Sequence, residues 1–210
     1  MSITDQLSSS VGVNTQEPNA KVAEKCLVKT ELLIEIVEGL GSKNVRLAGD
    51  CAEVMTKVAE KRPEIIAPYA QTLFSLLNHK NGRVRWEAAH AFGLVASFIP
   101  DLMAKELPTL TKIVRQDKSV IVRDYIIDAI ANYGTTSPQA AKSAFPILHE
   151  ASEAWESKHA ARVLSALNRL VKVMPNFSRE ARELALGFQE HSRAGVRKAA
   201  KSLLKTTENI

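Results

Sequence analysis

Apolar residues recur along the chain every three or four positions, in blocks separated by polar turns. Ile66, Tyr69, Leu73 and Leu76 form one stripe, and Val84, Ala88, Ala91 and Val95 form the next, running on to Phe98. That spacing is the period of an amphipathic helix. The intervening Asn78-His79-Lys80-Asn81-Gly82 has turn chemistry. Met103, Leu107, Leu110 and Val114, a break at Asp117, and then Val122, Ile126, Ala129 and Tyr133 repeat the arrangement. Further helix pairs are predicted over 138–151 with 156–174, and over 178–190 with 193–205. In the latter, Ser178 is placed to act as an N-cap, with Glu180 and Glu183 in the positive first turns. The first pair is predicted over 20–40, closed by Gly41, and 43–62. Residues 1–17 hold Ser8-Ser9-Ser10 and no Lys, Arg or aromatic residue, and are predicted to be a mobile leader.

The helix pairs keep a common period. Pro63, Pro100, Pro138 and Pro175 are 37, 38 and 37 residues apart, and Pro68, Pro108 and Pro146 follow at 40 and 38. Arg46, Arg85, Arg123, Arg162 and Arg197 are spaced by 39, 38, 39 and 35. Each arginine follows a small apolar residue: Val45, Val84, Val122, Ala161 and Val196. Two residue types on one period define five repeated helical hairpins, at about 18–62, 63–99, 100–136, 137–175 and 176–210, in a single repeat domain over 18–210. One hairpin cannot bury both of its apolar faces, whereas stacked neighbours can. The expected fold class is therefore all-α.

A proline entering the first helix and a Val-Arg pair opening the second resemble the HEAT repeat of the armadillo/HEAT class. Val45-Arg46, Val84-Arg85, Val122-Arg123 and Val196-Arg197 carry the match, Ala161-Arg162 is a weaker copy, and Ala52, Ala91 and Ala129 fit the small residues at close helix contacts. The resemblance covers roughly 20–207. It implies a right-handed α-α superhelix, a solenoid, in which the second helices line a concave side. It also implies an Asp in the turn that meets the Arg of a neighbouring repeat. Asp117 fits that place and Glu156 fits loosely, while His79, His191 and Leu40 stand there in other units. HEAT proteins are mostly scaffolds, adaptors and transport factors, so the resemblance implies a non-enzymatic module that binds a protein partner on its concave surface. Arg85, Trp86, Arg123, Tyr133 and Arg162 are the candidate partner contacts, because Trp and Arg dominate interface hot spots. Trp86 lies two places after Val84, about 200° round the helix from the core stripe. Packing between adjacent second helices is the competing explanation for Trp86, and pairing between repeats for the arginine row.

Charge adds a second expectation. The net charge is +5, yet residues 157–205 carry eleven Lys and Arg against three Glu, so this stretch alone is +8 and the rest is −3. Such a basic end suits an acidic partner surface or a phosphate backbone. Lys158, Arg169, Lys172, Arg193, Arg197, Lys198 and Lys201 are the candidate phosphate contacts. The alternative function is accordingly nucleic-acid backbone binding through the basic C-terminal third. With an aromatic share of 5%, base stacking is not expected.

The chain has no GxxxxGK[ST] loop, GxGxxG or GxSxG. Its histidines never pair at i,i+4 and none stands near a cysteine, so no metal or cofactor is expected. Deoxyhypusine hydroxylase holds iron with four His-Glu pairs, and here His149-Glu150 is the only one. An alkylpurine DNA glycosylase built of HEAT-like helices needs aromatic faces beside a carboxylate; Trp86, Trp155, Asp124 and Asp128 are the residues available. No stretch approaches the 18 or so consecutive apolar residues of a membrane span, and no small-molecule substrate is evident. Cys26 and Cys51 show no framework spacing, and the start has no basic n-region, so a cytoplasmic protein is expected.

Overall fold

The computed structural model describes residues 2–210, and among them every regular element is helical. The helices gather into two compact units, Met1–Ile99 and Pro100–Ile210, where the sequence suggested one repeat domain.

The first unit holds α1 (Glu17–Val28), α2 (Leu33–Gly39), α3 (Val45–Lys61), α4 (Pro63–Ile66), α5 (Ala70–Ser75) and α6 (Gly82–Val95). Two predicted first helices are interrupted. Between α1 and α2 the chain passes through a 3-10 turn, Thr30–Leu32. The buried stripe of Val22, Ala23 and Cys26 has only Lys29 and Thr30 at the next helical positions, so nothing apolar holds the helix before Leu33 and Ile36 resume. Between α4 and α5, Pro68 sits in a second 3-10 turn, Ala67–Tyr69. Pro108 and Pro146 are instead accommodated inside longer helices. The second helices α3 and α6 pack side by side, while the first-helix segments make little contact with each other. Gly49 permits this: a Cβ there would stand 3.3 Å from Arg83 Cδ.

The second unit holds α7 (Pro100–Gln116), α8 (Val120–Gly134), α9 (Pro138–Ser157), α10 (Ala160–Val173), α11 (Ser178–Gly187) and α12 (Ala194–Glu208). Here α10 packs against both α8 and α12, so the second helices again form a continuous layer. Ile126, Ile130, Leu164, Leu167, Ala200 and Leu203 are fully buried along that layer.

The helix starts follow local chemistry. Asn44, Asn81, Ser119 and Ser137 accept backbone N–H bonds in the first turns of α3, α6, α8 and α9. Ser178 does not act as the expected cap: it is the first residue of α11, and its hydroxyl is buried without a hydrogen-bond partner.

The segment expected to be a mobile leader is packed. Ser2 caps a 3-10 turn over Ile3–Gln6 with Asp5 completing the capping box, and Glu35 on α2 accepts bonds from the Ser2 hydroxyl and the Ile3 amide. Ile3 and Leu7, four apart, bury their side chains, with Leu7 fully enclosed. Ser8 N–H then donates to Asn19 Oδ1 at 2.9 Å, and Ser9 N–H to Asp50 Oδ2 at 2.7 Å. Only residues 10–17 of this stretch are exposed throughout.

Candidate partner-binding surfaces

In the first unit the second-helix layer is built on a buried polar cluster. Asp50 and Glu53, on one side of α3, are 1% and 2% exposed. Arg83, at the start of α6, donates Nη2 to Asp50 Oδ1 at 2.8 Å and to Glu53 Oε2 at 2.7 Å. Asn19 Nδ2 reaches the same two oxygens, at 3.0 and 2.9 Å. Lys57 Nζ lies 3.3 Å from Glu53 Oε1. Burial pushes the Asp50 carboxyl up, but hydrogen bonds from Ser9, Asn19 and Arg83 outweigh it and hold the group below its ordinary range. Arg83, partly desolvated, is raised by the two carboxylates it meets. Above the cluster lies a polar cavity of about 400 Å³ lined by residues 8–9 and 12–16 with Arg46, Asp50 and Arg83.

Of the candidates on α6, Trp86 is at the surface, 36% exposed, with its indole N–H donating to Glu87 Oε1 at 3.2 Å. Glu87 is half-buried, and burial pushes its carboxyl above the ordinary range. Arg85 is half-buried beside them. Arg46 is exposed at the start of α3.

In the second unit several expected contacts turn inward. Arg123 is 1% exposed, because Nε donates to His159 Nε2 at 2.9 Å, Nη1 donates to the Asp117 carbonyl, and its guanidinium lies 3.8 Å over the Trp155 ring. It is a structural residue and no partner contact; burial lowers its pKa against the pull of Asp117 and Asp124. Tyr133 is 6% exposed and belongs to the core, as its place on the Val122–Ile126–Ala129 stripe implies. The Arg123 contact makes His159 Nε2 an acceptor, so Nδ1 carries the proton and donates to Asp124 Oδ1 at 2.7 Å.

Arg162 is half-buried and paired. Its Nε lies 3.3 Å from Asp124 Oδ1, and Nη1 donates to Asp128 Oδ2. It is also not the repeat equivalent of Arg123. Ile126 and Ile127 are matched in burial by Val163 and Leu164, 37 positions on, whereas Arg162 follows Arg123 by 39. Burial raises the Asp128 carboxyl, with Arg162 and Arg169 pulling the other way. The two carboxylates considered for a glycosylase are thus engaged by Arg162 and His159, and Trp155 is covered by Arg123.

Asp117 Oδ1 accepts the Ser119 N–H two residues on, at 2.7 Å. His79 Nδ1 and His191 Nδ1 do the same for Asn81 and Arg193, each at 3.1 Å. In each case the turn residue closes its own turn, and Asp117 also pulls electrostatically on Arg123. Glu156 is exposed and sits in an unusual run: Trp155, Glu156 and Ser157 have φ of 55°, 57° and 57°, the left-handed region that non-glycine residues rarely enter. Trp155 Nε1 donating to the Val114 carbonyl, the Arg123 stack and Arg193 hold that run in place.

The candidate phosphate contacts divide in two. Arg193 donates to the carbonyls of Lys158 and Ser157, and Arg197 to those of His191 and Ser192 at 2.7 and 2.8 Å, so both are tied to turn backbone. Lys158, Arg169, Lys172, Lys198 and Lys201 are exposed. Arg169 Nη1 donates to Asn132 Oδ1 at 2.7 Å. Sequence reasoning missed Arg83, Asp50 and Glu53; the acids' i,i+3 spacing within the otherwise apolar stretch 47–55 was the available signal. Among the described residues no group of three or more His, Cys, Asp or Glu side chains is arranged to hold a metal ion. No helix is long and apolar enough to cross a membrane. Cys26 and Cys51 are buried free thiols, pushed up by burial to about 11 and about 12.

This architecture is that of a HEAT/armadillo-like α-solenoid. A designed armadillo repeat protein aligns over 98% of this chain and 98% of its own, with a TM-score of 0.73 at 15% identity. Another, in complex with the peptide (KR)4, gives 0.68 at 18% identity, again over 98% of both chains. The archaeal HEAT-like repeats protein from Thermococcus onnurineus NA1 gives 0.55 at 10% identity, over 93% of this chain and 98% of its own. No family model matches the sequence, and no curated protein does.

Proposed function

We propose that the protein is a non-enzymatic repeat scaffold that holds a protein partner on its second-helix layer. The exposure of Trp86 on α6 carries the reading: a large aromatic ring stands partly exposed at the surface of a preformed helical layer, with its indole N–H bonded to Glu87. A rigid layer of this kind binds an extended peptide or helix with little ordering cost. A solved neighbour of the same fold that holds a peptide supports a peptide-like partner. Arg85, half-buried beside Trp86, is the second contact of this reading; Arg123 and Tyr133, buried, and Arg162, paired with Asp124 and Asp128 in the other unit, drop out of it. The two buried free cysteines suit a reducing, cytoplasmic setting.

The test is capture from a nuclease-treated extract of the cells that make the protein, with wild type and Trp86→Ala compared quantitatively. A specific captured protein should fall by tenfold or more with the variant, in line with the ~2 kcal/mol of a hot-spot aromatic. The melting temperature should move by no more than about 2 °C, as for a surface substitution. An unchanged captured set would defeat the assignment, and a large drop in melting temperature would place Trp86 in the packing between helices.

A further inference from the structure

The acids of the basic C-terminal stretch, Glu180, Glu183 and Glu190, lie on α11 and in the turn after it, and Glu208 closes the end of α12. Glu183 pairs with Arg179 at 3.2 Å on α11, Glu208 pairs with Arg182 at 3.1 Å, and Glu180 lies 3.9 Å from His149. Arg162 is neutralised by Asp124 and Asp128. Besides Lys158, Arg193 and Arg197 at the turns, that leaves Arg169 and Lys172 on α10 and Lys198, Lys201 and Lys205 on α12, all five exposed and none ion-paired among the described residues. Positions 169 and 172 share one face of α10, and 198, 201 and 205 share one face of α12. Asn168 Nδ2 donates to Ser202 Oγ at 3.0 Å across the seam between the two helices, which sets those faces side by side. Five of the cations of this stretch therefore share one small surface.

Its dimensions and borders select the ligand. Seven residues of α12 rise about 10 Å, and adjacent helix axes lie about 8–10 Å apart. An extended peptide presents side chains on one side roughly every 7 Å, so two or three carboxylates span the patch. The residues between the cations are Ser165, Asn168 and Ser202, which offer hydrogen-bonding groups and no stacking platform. On the α8 side the patch ends at Asp124 and Asp128, acids that would face a phosphate backbone carrying a charge every ~1.7 Å if it continued across the second helices. Arg193 and Arg197, which would have widened the cationic track, are turned onto backbone carbonyls.

We propose that the α10–α12 face docks a short Asp/Glu-rich segment of a protein partner. The inference rests on the scaffold reading and adds the chemistry of what is held. The five cations supply charge-assisted contacts to carboxylates, and Asn168 and Ser202 lie beneath the path of the peptide backbone.

Fluorescence anisotropy with labelled octaglutamate tests this directly and needs no natural partner. Saturable binding is expected at about 50 mM salt, weakening markedly by about 200 mM as screening shortens the reach of exposed charges. Lys198→Glu with Lys201→Glu should weaken it at least tenfold with the melting temperature preserved, whereas Lys80→Glu, exposed in the first unit, should not. Absence of saturable binding, or an unaffected double variant, overturns the proposal. Tighter binding of a short DNA duplex than of octaglutamate at about 200 mM salt also overturns it and assigns the face to nucleic acid. Because Trp86 lies outside this patch, Trp86→Ala separates the two readings: retained octaglutamate binding with lost partner capture supports both, retained binding with unchanged capture removes only the Trp86 assignment, and Trp86-dependent capture by a wild-type protein that does not bind octaglutamate removes only this one.

Discussion

Arg83 in the first unit and Arg162 in the second each reach from a second helix back to two carboxylates on the preceding second helix, Asp50 with Glu53 and Asp124 with Asp128. The spacing of the acids is similar, i,i+3 in one case and i,i+4 in the other, and so is the bridging geometry. The surroundings differ. The Asp50 and Glu53 side chains are 2% and 3% exposed, under the packed N-terminal segment, whereas those of Asp124 and Asp128 are 26% and 33% exposed. A carboxylate cut off from water depends on its partner, because nothing replaces the lost hydration. One at the surface is solvated either way, and its ion pair adds little. The same bridge is thus a stability element in the first unit and mainly a means of neutralising charge in the second.

The sharpest way to break that comparison is Arg83→Gln. It strands two buried carboxylates and should cost about 3–5 kcal/mol, read by denaturant unfolding near neutral pH. The loss should be pH-dependent in a definite sense. The Asp50 carboxyl is held below its ordinary value of 3.8, so what the bridge contributes through it is complete above about pH 4 and disappears as the pH falls through the folded value. Wild type and variant should therefore converge in acid. An Arg83→Gln protein as stable as wild type at pH 7 would show that Asn19, Lys57 and the Ser9 amide suffice for the cluster.

Why the first unit buries its bridge was only partly legible in the sequence. The helical hairpins were, because the apolar stripes and the proline period are set by the chain itself. Tyr133 could have been assigned to the core on the same ground, since it continues the Val122–Ile126–Ala129 stripe. The N-terminal segment was read as a leader because its composition is polar, although Ile3 and Leu7, four apart, already formed a one-sided apolar pair that needed a cover. What spacing could not reveal is the partner of each charge. Arg123 matches the repeat pattern as well as Arg85 does, yet its fate depends on Trp155 and His159, more than thirty residues away and held by a left-handed run. Arg162 looked like a fourth copy because the eye follows residue type, whereas burial shows it two positions out of register.

The cover itself can be tested without touching a charge. Leu7 is fully buried, and Leu7→Ala should cost about 2–3 kcal/mol from lost burial and the cavity left behind. Amide exchange should also rise across residues 2–9 and at Ser9, whose N–H is bonded to Asp50. A loss below about 0.5 kcal/mol, the range of ordinary surface changes, would mean that the segment contributes no cover and that Asp50 is protected by α1 and α6 alone.

The smallest effect should come from the counterpart in the second unit. Arg162→Gln removes the same kind of bridge, but Asp124 keeps its hydrogen bond from His159 Nδ1 and both acids keep access to water. The expected loss is under about 1 kcal/mol. It should shrink further with added salt, since exposed pairs are screened. Asp128 gives the result a second side. Burial already raises its carboxyl, and without Arg162 the opposing pull is left mainly to Arg169, so the Asp128 pKa should rise further in the variant, as measured by NMR titration. If instead Arg162→Gln costs as much as Arg83→Gln, exposure does not separate the two bridges. The difference between the units would then have to be sought in the Arg123–Trp155–His159 network that Asp124 also anchors.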